Sequence, residues 1–133
     1  MIEYHTQPPI PTRKIEHSFT QTLEMRDGTR TLGRAVWNVA DGSEGVIQIL
    51  ELWIDPAVRR AGHGRQLLHA TVEQARLMHK VRKQNLRRLW AGVGHKSQVV
   101  GRSFLTAVGF HLIGSTAGLL KDQELLVYVK SLD

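Results

Sequence analysis

Nine residues from Val46 to Ile54 (Val-Ile-Gln-Ile-Leu-Glu-Leu-Trp-Ile) are almost continuously apolar, and Pro56 stands just beyond them. A short apolar run without a clean period of two predicts a strand covered on both faces, and therefore a central one. Proline has no amide hydrogen to give to a ladder, so the strand ends there. The period then changes. Between Gly62 and Arg82, Leu67, Leu68, Thr71, Val72, Ala75, Met78 and Val81 recur at spacings of three and four, which predicts an amphipathic helix. A buried strand that runs through a glycine-bearing turn into a helix commits the chain to a layered arrangement of helices on a sheet.

The remaining elements follow by pattern. Strands are predicted over His17–Met25, Thr31–Val39, Leu86–Val93, Phe110–Ile113 and Glu124–Val129, and a short helix over Ser97–Val108. Asp27-Gly28 and Asp41-Gly42-Ser43 are turn signals between the first three strands. Pro8, Pro9 and Pro11 argue against a helix in residues 1–14, which read as an extended arm. The order β-β-β-α-β-α-β-β describes an α/β (α+β) fold, a mixed, mostly antiparallel sheet flanked by helices. At 133 residues without repeats it reads as one domain, 1–133.

Composition removes several classes of function. Cysteine is absent, which excludes disulfides, thiolate metal sites and a cysteine nucleophile. The seven histidines lack the paired spacing of a helical zinc site, so no metal is expected. No stretch approaches the roughly 20 apolar residues of a membrane span, and the N-terminus lacks a leader's apolar run. A cytoplasmic protein without a membrane partner is the default expectation. The net charge of +6 admits an anionic ligand or a nucleic acid. No recognition helix, finger or aromatic-studded basic stretch supports the nucleic acid.

The chemistry concentrates in Ile54-Asp55-Pro56-Ala57-Val58-Arg59-Arg60-Ala61-Gly62-His63-Gly64-Arg65, between the central strand and the helix. Glycines let a backbone approach a ligand closely. The first amides of a helix have no internal partner, and the dipole adds positive character there. Together these make a cradle for phosphate, to which the flanking arginines add charge. A tight strand-to-helix turn without any ligand would carry the same glycines.

Residues Glu51 to Leu68 (Glu-Leu-Trp-Ile-Asp-Pro-Ala-Val-Arg-Arg-Ala-Gly-His-Gly-Arg-Gln-Leu-Leu) resemble the acyl-coenzyme A motif of the GNAT N-acetyltransferases, where a central strand leads into an Arg/Gln-x-x-Gly-x-Gly/Ala turn and a helix. Ala107-Val108-Gly109-Phe110, with Gly114 after it, resembles the later Gly-Phe signature of the same family. The two occur in the expected order across residues 45–115. The resemblance implies a GNAT-like fold with a shortened N-terminal region, and acetyl-CoA as co-substrate. Backbone amides of Arg59, Arg60, Ala61, Gly62, His63, Gly64 and Arg65 would hold its pyrophosphate. Leu52, Trp53 and Ile54 would meet the pantetheine and acetyl carbonyl where the central strand splays from its neighbour, with Phe104 beside the coenzyme.

Transfer from a thioester to an amine requires a neutral amine, a polarised carbonyl and a protonated leaving thiolate. Glu51, the one carboxylate in the central strand, is the candidate base. Its parity places it with Ile49 and Trp53, and burial would raise its pKa; a salt-bridged strand glutamate is the alternative. The tyrosine that many family members carry four residues before the Gly-Phe glycine is Leu105 here, and Gln98 stands where an asparagine is usual. Tyr128 and Ser97, with His95 and Ser103 behind them, are the substitutes for the acid. His63 is placed to contact phosphate, His69 and His79 on the helix surface. Trp37, Trp53 and Trp90 are expected in the core, with Trp53 also able to line the acceptor pocket. The short N-terminal region implies an acceptor groove that is open, or completed by a second subunit or a macromolecular substrate. An open groove suits a protein or peptide amine better than a small buried metabolite, with both kinds of acceptor kept as candidates. A homodimer is the default assembly. The alternative function is a non-catalytic acyl-CoA-binding module.

Overall fold

The computed structural model describes residues 1–11, 19–39, 44–59, 61–94, 98–99, 102–116 and 124–132. In chain order the elements are β1 (Ile2–Thr6), β2 (Ile10–Pro11), β3 (Phe19–Asp27), β4 (Arg30–Val39), β5 (Val46–Ile54), a 3-10 turn at Pro56–Val58, α1 (His63–Val81), β6 (Arg88–Val93), β7 (Gln98–Val99), α2 (Arg102–Ala107), β8 (His111–Ser115) and β9 (Leu126–Ser131). One sheet runs β1-β3-β4-β5-β6-β9-β8, with β2 beside β3 and β7 beside β5. Only the pairings of β5 with β6 and β7 are parallel; the rest are antiparallel. The mixed, mostly antiparallel sheet with helices is the one expected from the sequence.

The central strand departs from expectation in one respect that matters for the site. Trp37 pairs with Ile49 and Val36 with Glu51, so Leu50 is an extra residue, a β-bulge. The bulge reverses the parity of everything after it. Ile47, Ile49, Leu52 and Ile54 therefore share one buried face, while Glu51 and Trp53 lie on the other. Glu51 does not share a face with Ile49, as simple alternation predicts. Nor are both faces covered: Leu50, Glu51 and Trp53 keep contact with solvent.

Helix α1 covers the buried face. Its stripe is Leu67, Leu68, Thr71, Val72, Ala75 and His79, packed over Ala35, Trp37 and the inward residues of β5. Each fully buried leucine or isoleucine contributes about 1.5–3 kcal/mol. The stripe ends on His79, which is 2% exposed, while Val81 is 80% exposed. The expected placement of His79 on the helix surface is thus reversed, because positions 68, 72, 75 and 79 continue one helical face. His79 Nδ1 donates to Ala75 O at 2.8 Å.

Two further differences have local causes. The N-terminal arm is not merely extended: β1 pairs with β3 from Ile2–Asp27 to Thr6–Leu23, and Pro8 and Pro9 separate it from β2. The helix expected from Ser97 begins at Arg102, and Gln98–Val99 form β7 instead. β-Branched residues and Gly101 are poor helix formers there. The predicted turn at residues 41–43 and the start of the His17 strand lie outside the described residues. Among the described residues, no helix is long and apolar enough to cross a membrane.

Candidate functional site

The turn between β5 and α1 is built in two steps. Asp55 accepts from Ala57 N at 3.0 Å, capping the 3-10 turn. Arg59 Nε donates to Ile54 O at 3.0 Å and ties the turn back to the strand. Gly62 then precedes the helix with φ 81° and ψ 3°, a left-handed conformation that disfavours a Cβ. It offers no side chain, so α1 has no side-chain cap, and its first turn holds no acidic residue. The leading amides and the positive end of the dipole therefore face outward uncompensated. A Cβ on Gly62 would meet nothing within 4 Å among the described residues. Arg60 lies outside the described residues.

The second glycine has a different cause. A Cβ on Gly64 would stand 2.8 Å from the ring of Phe104 in α2, so the two helices meet at this residue. Arg65 Nη2 donates to Ala107 O at 3.2 Å, satisfying a carbonyl at the far end of α2. His63 Nδ1 lies 3.1 Å from Val58 O. Ala61 is exposed beside Gly62. The Gly-Phe signature is a helix C-cap: Phe110 N donates to Leu105 O at 2.9 Å and Gly109 N to Thr106 O at 3.1 Å.

Parallel pairing of β5 with β6 covers only Val46–Gln48 against Arg88–Trp90. Past Gln48 the two strands part, as expected, but the gap is not empty. Strand β7 pairs Gln98 with Glu51 and Val99 with Leu52. Of the three residues expected to present backbone groups, Leu52 thus has a strand partner, and Ile54 O accepts from Arg59.

Glu51 stands on the face of the sheet opposite α1, with its side chain 24% exposed and its Oε1 3.8 Å from Arg34 Nη1. The charged neighbour named as the alternative is present. Arg34 itself lies 4.0 Å from Glu24 Oε1. Glu24 is held by Gln7 Nε2 at 2.8 Å, by Arg26 Nε at 2.8 Å and by Arg26 Nη2 at 2.6 Å. Sequence reasoning did not foresee this cluster, because it depends on β1 and on the register of three strands. Glu24, Arg34 and Trp53 are brought together by pairing. Trp53 and Trp90 are half-buried on this open face; only Trp37 is in the core.

The candidate acids do not join Glu51. Tyr128 is buried and pairs with Ala91 on the side of the sheet that α1 covers. Leu105, within α2, is fully buried. Ser103 is exposed, and Ser97 and His95 lie outside the described residues. Among the described residues, no group of three His, Asp or Glu side chains could hold a metal ion.

Asp55 carries a resolved perturbation. The Ala57 amide, then the Arg30 guanidinium at 3.1 Å, hold its carboxyl below the ordinary 3.8. A depressed folded value contributes stability above the unfolded value, which is lost as pH falls through the folded one. Unfolding by urea at pH 7 and pH 3 should show a smaller acid-induced loss for Asp55→Asn than for the native chain; an equal loss would dismiss the contribution.

The acetyltransferase (GNAT) family profile matches residues 3–110. The chain belongs to the GNAT acetyltransferase family. Members of the family transfer acyl groups from coenzyme A. An acetyltransferase from Bacillus cereus is 19% identical, with a TM-score of 0.63 over 92% of this chain and 81% of the other. A GNAT acetyltransferase from Elizabethkingia anophelis with acetyl-CoA bound is 16% identical, with a TM-score of 0.64 over 98% of both chains. The PaiA N-acetyltransferase from Thermoplasma acidophilum in complex with coenzyme A is 15% identical, with a TM-score of 0.62 over 84% and 60%. At these identities the likeness is one of fold. No curated protein matches the chain.

Proposed function

We propose that the chain moves an acetyl group from acetyl-CoA to an amine nitrogen. The N-terminus of α1, without a side-chain cap and with left-handed Gly62 before it, carries this reading. The GNAT neighbours that bind coenzyme A and acetyl-CoA support it. The amides of Ala61 to Arg65 hold the pyrophosphate, and the dipole favours its charge. Phe104, seated on Gly64, lies along one side. Glu51 is the base. It takes a proton from the incoming ammonium on the open face of the sheet. The amine nitrogen then attacks the thioester carbonyl, and the N–C bond forms as the C–S bond breaks. The nitrogen releases its second proton to solvent, and coenzyme A leaves as a thiolate that takes up a proton from solvent. Solvent takes that role in place of Tyr128, which is packed in the core.

A second reading, a non-catalytic acyl-CoA-binding module, is favoured by Leu105 in the place of the family's tyrosine and by β7 beside Glu51 and Leu52. One experiment separates them. Acetyl-CoA and desulfo-CoA, titrated calorimetrically, should saturate the protein, and Gly62→Asp, whose Cβ meets no neighbour within 4 Å, should weaken binding at least about tenfold by placing an anion at the helix end. On a panel of amines, Glu51→Gln should lower kcat about 100-fold with acetyl-CoA affinity unchanged. Saturable binding without turnover of any amine would favour the module. Absence of binding to every coenzyme A species would sink both.

A further inference from the structure

The open face of the sheet holds a guanidinium that the fold does not use. Arg34 projects from β4 beside Glu51 on β5, and its side chain is 43% exposed. Its nearest acceptors are Glu51 Oε1 at 3.8 Å and Glu24 Oε1 at 4.0 Å, both beyond hydrogen-bond length. Among the described residues the Arg34 side chain makes no hydrogen bond, although a guanidinium has five donors. Glu24 does not compete for it. That carboxylate is 7% exposed and already takes donors from Gln7 and Arg26. The structure thus fixes one end of the cluster and leaves the other, an Arg34–Glu51 pair of opposite charges, facing solvent. The pair stands where strand β5 parts from β6.

We infer that the acceptor is a zwitterionic amine of the α-amino acid type, whose carboxylate is held by Arg34 while its amino group faces Glu51. This rests on the reading of Glu51 as the base. The match is one of charge and of length. In an α-amino acid the nitrogen and the carboxylate oxygens are about 3 Å apart by standard bond lengths, and Glu51 Oε1 and Arg34 Nη1 are separated by 3.8 Å. A guanidinium takes a carboxylate in a two-pronged pair, which fixes orientation as well as affinity. The cluster Glu24, Arg26, Arg34 and Glu51 sums to zero formal charge, so a zwitterion enters without leaving a net charge against the sheet. Among the described residues no helix covers this face. Val36 and Trp53 flank the pair and offer apolar contact to the acceptor's side chain. A lysine side chain or a peptide N-terminus has no carboxylate beside its amine and gains nothing from Arg34.

The test uses acceptors that differ only in the carboxylate. With acetyl-CoA saturating, L-phenylalanine should exceed 2-phenylethylamine in kcat/KM by about 10- to 100-fold, the worth of a charge-assisted bond, with L-leucine exceeding 3-methylbutylamine likewise. Arg34→Met should remove the preference by lowering the amino acids alone, and Arg34→Lys should keep part of it. Equal use of both members of each pair, or an equal fall of both in Arg34→Met, overturns the inference. A second measurement does not depend on turnover. N-acetyl-L-phenylalanine, titrated with coenzyme A present and followed by saturation-transfer NMR, should bind the native chain and fail to bind Arg34→Met. Lack of binding to the native chain overturns the inference even if other amines are acetylated. Turnover of simple amines with no carboxylate preference leaves Glu51 standing and removes Arg34 alone.

Discussion

Gly45→Ala should cost about 2–5 kcal/mol of unfolding free energy. Two effects combine. Gly45 has φ 84°, a conformation in which a Cβ costs about 1–2 kcal/mol. A Cβ there would also fall on the carbonyl oxygen of Asn85, and backbone is not free to turn aside. Relieving such an overlap costs about 1–3 kcal/mol more. The position is further tied by Arg87 N and Arg88 N, which donate to Gly45 O at 2.7 and 3.2 Å. These bonds set the first rung of the parallel pair between β5 and β6, Val46 against Arg88. Urea unfolding measures the loss, and a change under 1 kcal/mol would show that β6 can shift away from β5. Because that rung fixes where the strands part, any surviving Gly45→Ala protein should also bind acetyl-CoA less well.

Trp37→Ala should lose about 3–5 kcal/mol, while Trp37→Phe should lose less than half of that. Trp37 is 0% exposed between Gln21 and Ile49 in the register of the sheet. Its indole Nε1 is buried without a partner among the described residues. A buried unpaired donor costs about 1–3 kcal/mol, and phenylalanine removes that cost while keeping most of the apolar contact. The midpoint of urea unfolding for the two variants decides it. Equal losses would mean that the indole nitrogen has a partner in solution, a bound water for example.

What the sequence made legible was local. The helix over Gly62–Arg82, the proline-stopped central strand and the order of elements each rest on periods and breakers a few residues long, and each is present. The turn at the head of α1 could be read because a glycine pair and an uncapped helix start leave marks in the sequence. What depended on register could not be read. The Leu50 bulge moves Glu51 to the opposite face from Ile49, and nothing in Ile-Leu-Glu announces an extra residue. The cluster of Glu24, Arg34 and Glu51 is assembled from three strands, with Gln7 reaching in from the segment after β1. β7 escaped for a related reason: two residues are too short for a period to show. His79 could have been found, since 68, 72, 75 and 79 extend the apolar stripe. A histidine at the end of a basic helix nonetheless reads as a surface residue.

The contact between Gly64 and Phe104 ties two positions forty residues apart into one unit of inheritance. A glycine in such a turn is ordinarily attributed to the ligand, yet here the ring of a neighbouring helix already claims the space. Descendants of this chain are therefore free to gain a methyl group at 64 only after 104 has shrunk, and an order of substitution is imposed. The reverse order passes through a strained intermediate. Among relatives, bulk at one of these positions should be traded against bulk at the other, whatever each protein acetylates.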